Sequence, residues 1–474
     1  MNENSHLEEA DRRYLWHPFT QMQDWQKERP VIIEEGKGSF IRDIYGKWYL
    51  DGVSSLWVNI HGHARKEIND ALREQIGKIS HSTMLGLSNV PAIRLAEKLI
   101  GLIQNSGLGT QNSESGHLQS APRNRPPALK RVFYSDNGST SVEVALKMAF
   151  QYWKHRGEDG RHAFLSLNNA YHGDTIGAVS VGGVDIFHKA FGPLLFKTYR
   201  APSPYCYRCE LGCECLATPL PPVVPCIGKM EEILQGHHHE IAAVIIEPLV
   251  QAAGGMIVAP PGYLSAVRDL CTKYRVLMIA DEVATGFGRT GRMFACEHES
   301  VTPDILCLSK GITGGYLPLS VTITTDEVYD AFLGEFSDLK TFFHGHSYTG
   351  NPLACAAAIA CLEIFEKEDT LDAMRPKIAM LEGWLREISA LPHVGDARSR
   401  GLMAGVELVS DKKSKTPFPW EEKMGWKVAL HARDKGVFIR PLGNVVVIMP
   451  PLSISEEELA RLLGVIGDSI MAVT

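Results

Sequence analysis

Residues 276–291 read VLMIADEVATGFGRTG: five apolar residues, two carboxylates, then a run punctuated by Gly286, Gly288 and Gly291. A short apolar run that breaks into glycine-rich sequence reads as a buried strand, and this one delivers Asp281 to its carboxyl end. Residues 304–315, DILCLSKGITGG, repeat the pattern with Lys310 where the carboxylate stood. Outward from these two, short β-branched runs at 131–134, 162–167, 241–247 and 317–324 alternate with helical stretches. Strands separated by helices imply an α/β fold with a mostly parallel sheet covered on both faces. Ligands gather at the carboxyl ends of such strands, so Asp281 and Lys310 are expected at the mouth of the sheet.

Two segments interrupt the rhythm. Residues 105–127 are rich in Gly, Ser, Gln, Asn and Pro and read as a mobile surface insertion. Residues 201–226 hold Cys206, Cys209, Cys213, Cys215 and Cys226 together with Pro219, Pro221, Pro222 and Pro225. After residue 345 the pattern turns to long helices, beginning at 351–365, and to short β-like runs at 402–408, 437–440 and 445–449. A hairpin at 40–44 and 47–50 around Gly46 is expected to complete this smaller α+β lobe. The division expected is 1–68 and 345–474 for the small domain and 69–344 for the large one.

The chain has 474 residues, 45% of them hydrophobic and 22% charged, and a net charge of -7 spread along its length. That composition belongs to a globular protein with a large core, and nothing in it favours nucleic acid or an anionic membrane as partner. No run approaches the ~18 apolar residues of a spanning helix, the first residues lack an apolar signal stretch, and a cytoplasmic protein is expected. Cys271, Cys296, Cys307, Cys355 and Cys361 stand singly in apolar segments, as reduced buried thiols do.

Taken alone, Asp281 is as well read as a helix cap and Lys310 as a solvated loop residue. Their pairing at neighbouring strand ends changes that. A buried carboxylate can hold the pyridine nitrogen of pyridoxal 5'-phosphate (PLP) protonated, and a lysine in apolar and glycyl surroundings has its neutral amine favoured for Schiff-base formation. Residues 133–148, FYSDNGSTSVEVALKM, add what such a coenzyme needs next: a strand, then Gly138 and Ser139 opening a helix whose first N–H groups can bind phosphate. Tyr171, in NAYHGDT, offers an aromatic plate for the ring, and Gly345, His346 and Ser347 precede another helix as a second phosphate contact. His344 and His346 lack the carboxylate or cysteine spacing of a metal site, and none is expected there.

These segments resemble class III aminotransferases, PLP enzymes of fold type I with a seven-stranded, mainly parallel sheet, over nearly the whole chain. The likeness rests on WHPFTQM at 16–22, DGVSSLW at 51–57, YHGD at 171–174 and the loop from Asp281 to Gly291. Within the family it is nearest the branch that converts 8-amino-7-oxononanoate to 7,8-diaminononanoate in biotin biosynthesis with S-adenosylmethionine as donor. The resemblance implies PLP as cofactor, Lys310 as its Schiff-base lysine and Asp281 on the pyridine nitrogen. Gly138 and Ser139 would hold phosphate, with His346 and Ser347 reaching the cofactor of a second subunit in a homodimer. Trp57, Tyr171 and Gly345 would line the substrate channel, and Arg398 would bind the substrate carboxylate. Phe19 would join the substrate-binding residues; it stands where much of the family has tyrosine, which keeps lysine open as the donor. Two other readings stand beside this one: an ω-amino acid or 4-aminobutyrate aminotransferase, and, of another class, a metal-binding protein built on the cysteine cluster or a non-catalytic PLP-fold protein.

Overall fold

The computed structural model describes residues 3–108, 128–212 and 224–474. Its central sheet has seven strands: β1 (Leu129–Ser135), β2 (Ala163–Leu167), β3 (Thr198–Ala201), β4 (Ile241–Ile246), β5 (Leu277–Asp281), β6 (Ile305–Leu308) and β7 (Ser320–Thr325). They lie in the order β1-β7-β6-β5-β4-β2-β3. All neighbours are parallel except β7, which runs antiparallel to both β6 and β1.

Every residue of β2, β4, β5, β6 and β7 is buried. This is why β4, β6 and most of β2 and β5 are apolar rather than alternating: each face of the sheet carries helices. Val142, Ala145 and Ala149 of the helix Gly138–His155 pack on Ile245, Ile279 and Ile305 on one face. Leu264 and Val267 of the helix Tyr263–Lys273 join the larger cluster with Val244, Met278 and Leu306 on the other. The strand that sequence reading passed over, β3, has four half-buried or buried residues, TYRA, at the sheet edge. Too short and too polar for a β signal, it is held by pairing with β2.

A second group of sheets joins the two ends of the chain. Ile33–Lys37, Phe40–Asp43 and Trp48–Asp51 form an antiparallel meander, with Gly46 in the left-handed conformation (φ 82°) at its tight turn. Val437–Phe438 then adds in parallel beside Leu50 and Asp51. Val394–Arg400, Met403–Asp411 and Val445–Ile448 make a further antiparallel sheet, packed by the helices Arg375–Ile388, Met424–Asp434 and Glu456–Val473.

Most of the proposed insertion (109–127), together with Cys213 and Cys215, lies outside the described residues. Among the described residues no group of three or more His, Cys, Asp or Glu side chains is placed to hold a metal, and no helix is long and apolar enough to cross a membrane. Cys271, Cys296, Cys307, Cys355 and Cys361 are buried free thiols.

Candidate active site

β5 and β6 are adjacent and parallel, so their carboxyl ends open on the same side of the sheet. Asp281 ends β5, and Lys310 lies two residues past β6. Both line one cavity of about 750 Å³. Asp281 is fixed on both oxygens: Oδ1 accepts from the Val283 N–H (3.0 Å), and Oδ2 lies 2.7 Å from Nδ1 of the buried His172. Lys310 has a left-handed backbone (φ 43°), a conformation that costs a non-glycine residue about 1 kcal/mol or more. Its Nζ sits 4.8 Å from the centre of the Trp57 ring. Burial pushes the Lys310 amine below its ordinary pKa and the Arg289 cation adds to this, while Asp281 and Glu247 oppose it. The neutral, nucleophilic form is thereby favoured.

The opposite wall is the start of the helix Gly138–His155. Asn137 caps it, accepting from the Thr140 N–H, and Asp136, Asn137, Gly138 and Ser139 all line the cavity. Glycine at 138 is required by packing, because a Cβ there would stand 2.5 Å from Val283 Cγ1. Gly173 (φ 118°) is required for a similar reason, since a Cβ would meet Ser139 Oγ. Ser139 Oγ accepts from the N–H groups of Asp174 (2.8 Å) and Thr175 (3.1 Å), fixing the Tyr171 loop to the helix start. Tyr171 is in turn held by its hydroxyl, which donates to Asp174 Oδ2 (2.7 Å).

Trp57 reaches Lys310 from an unusual turn. Ser54, Ser55, Leu56 and Trp57 all have positive φ, 52°, 49°, 71° and 74°, one turn of left-handed helix built without glycine. Left-handed L-residues cost about 1–2 kcal/mol each, so the surroundings must hold the turn in place. Asp51 does much of this: Oδ1 accepts from Val53 N–H and Ser55 N–H, and Oδ2 accepts from the Ser55 hydroxyl and lies 3.0 Å from His63 Nε2. Ser54 Oγ donates to the Met449 carbonyl, tying the turn to the far end of the chain.

Lys310, Asp281, Gly138, Ser139, Tyr171 and Trp57 therefore meet around one cavity. The other expected residues stand apart from its lining. Phe19 packs edge-on against Phe187 (5.2 Å), which touches Tyr171 (6.0 Å), so it reaches the site through one intervening ring. His346 Nε2 is 3.5 Å from Asp136 Oδ1, beside the helix start but beyond hydrogen-bond geometry. Gly345 and Ser347 flank it, and the Ser347 carbonyl is engaged by His81 Nε2.

Arg398 departs furthest from the expectation of an open carboxylate clamp. Its Nε donates to Met256 O (2.8 Å), and Nη1 donates to Asp396 (2.6 Å) and Glu407 (2.9 Å). Nη2 donates to Gly255 O (2.6 Å) and Tyr205 Oη (3.1 Å). All five guanidinium N–H directions are used, and Glu407 is shared with Tyr205 and Arg208 from the segment that leads into the cysteine cluster.

The sequence profile of the class III aminotransferases matches residues 21–470. The chain belongs to the class III aminotransferases. The adenosylmethionine-8-amino-7-oxononanoate aminotransferase of Geobacter sulfurreducens is 53% identical, covering 99% of this chain and 98% of that protein. The crystal structure of the enzyme of that name from Methanocaldococcus jannaschii is 45% identical, covers 99% of this chain and all of the other, and superposes with a TM-score of 0.89. A PLP-bound amine transaminase from an uncultivated Pseudomonas species is 36% identical over 98% of this chain and 99% of its own, with a TM-score of 0.87.

The cavity suits the cofactor that this family membership implies. It offers an amine, a fixed carboxylate and a helix N-terminus around one space, and the buried Trp57 Nε1 and His172 Nε2 on its wall have no hydrogen-bond partner among the described residues. Two lining residues carried no role in the sequence reading. His172 was visible only as part of a motif. Glu247, directly after β4, accepts from Tyr171 N–H (3.1 Å) and Ala252 N–H (2.9 Å), and burial with the Asp281 anion pushes its carboxyl up to about 7. The signal for Glu247 was available: it follows an apolar strand just as Asp281 does.

Proposed function

We propose that this aminotransferase holds PLP between Asp281, Lys310, Tyr171 and the Gly138–Ser139 helix start, and aminates 8-amino-7-oxononanoate to 7,8-diaminononanoate with S-adenosylmethionine as donor. The observation that carries the cofactor reading is the pairing of a deprotonation-prone amine and a doubly fixed carboxylate on adjacent strand ends. The substrate reading rests on the relatives, alike over nearly their full length and named for that reaction. Residues 69–344 would supply the cofactor cradle, and 1–68 with 345–474 the small domain.

Bound here, PLP supplies an electron sink for the bond broken next to the substrate nitrogen. The chain's own residues do the rest. Lys310 Nζ, whose charged form burial disfavours, would take the proton from the substrate carbon and hold it for return. Asp281, pinned by Val283 N–H and His172, presents a carboxylate that cannot rotate away. The N–H groups opening the helix Gly138–His155 and the Ser139 hydroxyl would hold the phosphate. Trp57 covers Lys310 and keeps water from the amine.

A carboxylate-ended acceptor would reach Arg398 by exchanging one of its present partners, Glu407 or Asp396, for its own carboxylate. Phe336, Leu339, Phe343 and Tyr348, near His346 and Ser347 in sequence, are exposed apolar side chains, which supports a second copy covering this segment in a homodimer whose sites lie at the interface.

The test supplies purified protein with 8-amino-7-oxononanoate and either S-adenosylmethionine or lysine, and measures diaminononanoate. Product with S-adenosylmethionine and parallel-line (ping-pong) kinetics are expected. Product with lysine alone would move the donor assignment, as the phenylalanine at 19 leaves room for. Product with neither would remove the substrate assignment.

A further inference from the structure

Glu247 is the cavity group that the mechanism above leaves unused. It belongs to a ring of titratable side chains at four strand ends: Tyr171, His172 and Asp174 after β2, Glu247 after β4, Asp281 at the end of β5 and Lys310 after β6. Arg289, from the loop after β5, is the other cation acting on Lys310; it donates to the carbonyls of Pro450 and Asn59.

Glu247 makes two main-chain contacts of opposite origin. One oxygen holds the N–H of Tyr171 on the loop after β2, and the other holds the N–H of Ala252, five residues along its own loop. The plate residue is thus fixed through its backbone by Glu247 and through its hydroxyl by Asp174. The same carboxylate acts electrostatically on Lys310, favouring the charged amine, and Asp281 acts on Lys310 in the same sense. The site consequently has two carboxylates facing one lysine, and only Asp281 has a role in the chemistry described so far.

We propose that Glu247 is a positioning residue that works in two ways, tethering the Tyr171 loop and serving as the counter-charge that sets how readily the Lys310 nitrogen keeps its proton. Two physical facts support this. An anion facing a cation across a cavity walled by protein is screened far less than one in water, so its removal is felt at the nitrogen. The carboxyl of Glu247 is also raised to about 7, by burial above all, with His172 opposing and the Asp281 charge adding, so its own charge changes around neutral pH. The Lys310 nitrogen should then respond to pH partly through Glu247.

This inference rests on the cofactor reading given above, and the experiment separates the two. The holoenzyme is titrated with pH while the visible absorption of the bound cofactor is followed, for wild type, Glu247→Gln and Glu247→Asp. Gln keeps one oxygen for a main-chain N–H and loses the charge; Asp keeps the charge on a shorter stem. The Gln variant is expected to show its midpoint lowered by about one pH unit, a tenfold loss of proton affinity, and the Asp variant a midpoint close to wild type. A Gln variant that titrates like wild type overturns the proposal, and so does an Asp variant whose midpoint falls as far as one unit. If the Gln variant takes up no cofactor, the Asp variant alone decides by the same criterion. A wild-type protein with no visible band after loading, by contrast, removes the cofactor reading itself.

Discussion

Lys310 and Arg398 are two basic side chains sunk in the same protein, and they are treated in opposite ways. Lys310 faces a cavity with an aromatic ring beside its nitrogen, and burial disfavours its charge. Arg398 is wrapped by two carboxylates, a tyrosine hydroxyl and two carbonyls that use every N–H it has. A cation with weak compensation gives up its proton and becomes a nucleophile; a cation with full compensation becomes a fixed joint. The contrast separates the reacting end of the site from the joint where Val394–Arg400, Met403–Asp411 and the 205–208 segment meet.

The largest expected effect comes from deleting the weakly compensated group. Lys310→Ala should lose the visible band of the bound cofactor and lower kcat/KM by about four orders of magnitude or more, the scale on which a covalent nucleophile acts. Its melting temperature should stay near wild type, since a poorly solvated amine contributes little to folding. A large drop in stability without loss of the band would reverse the contrast.

Arg398→Met should do the opposite. It leaves Glu407 and Asp396 short of their cation, and breaking a buried pair costs about 3–5 kcal/mol. Chemical denaturation measures this, and Glu407→Leu in the same background should recover part of the loss, because the stranded charge goes with it. If Arg398 also receives the acceptor's carboxylate, KM for that acceptor should rise while KM for the donor holds.

Glu282 tests an intermediate case, a buried carboxyl with two main-chain donors, Ala295 N–H (2.7 Å) and Cys296 N–H (2.8 Å). Burial raises it to about 7 against an ordinary 4.5. Its folded-state pKa therefore exceeds the unfolded one, so the native state binds a proton that the unfolded state has released. Stability from this group is highest below pH 4.5, falls as pH rises to about 7 and is flat beyond. The change across that window is about 3 kcal/mol at most. Glu282→Gln should flatten the slope of unfolding free energy against pH between those limits by up to one proton. An unchanged slope would mean that the two N–H donors compensate the charge as fully as Arg398 is compensated.

Much of this arrangement could be read from the sequence, because its strongest determinants are local. Four of the seven strands, Ala163–Leu167, Ile241–Ile246, Leu277–Asp281 and Ile305–Leu308, are largely apolar runs ended by polar or glycine-rich residues, and such a run needs no tertiary information to be recognised. Asp281 and Lys310 are read from those endings, and Gly138 from the helix start in FYSDNGSTSVEVALKM. What escaped notice depends on contacts far apart in sequence. Val394–Arg400 reads VGDARSR, without apolar alternation, and becomes a strand only through pairing with Met403–Asp411. The closed state of Arg398 needs Glu407, Tyr205 and the 255–256 carbonyls together, which no linear motif shows. Phe187 likewise joins Phe19 to Tyr171 only in space.

The smallest effect concerns the turn that brings Trp57 to Lys310. Four consecutive left-handed residues without glycine appear in the sequence as ordinary SSLW, and only the backbone reveals the strain. Leu56 (φ 71°) is exposed and contributes no side-chain hydrogen bond, so Leu56→Gly removes a steric penalty of about 1–2 kcal/mol. Against this stands the greater backbone entropy glycine loses on folding, about 0.5–1 kcal/mol. The net expectation is a gain of up to about 1 kcal/mol in unfolding free energy, with the pH response of the Lys310 nitrogen unchanged because Trp57 keeps its place. Nearly every glycine substitution in an ordinary right-handed turn destabilises, so the sign alone is diagnostic. A loss of stability would show that the solution backbone at 54–57 is not left-handed, and that the weak compensation of Lys310 is achieved without strain in its neighbour.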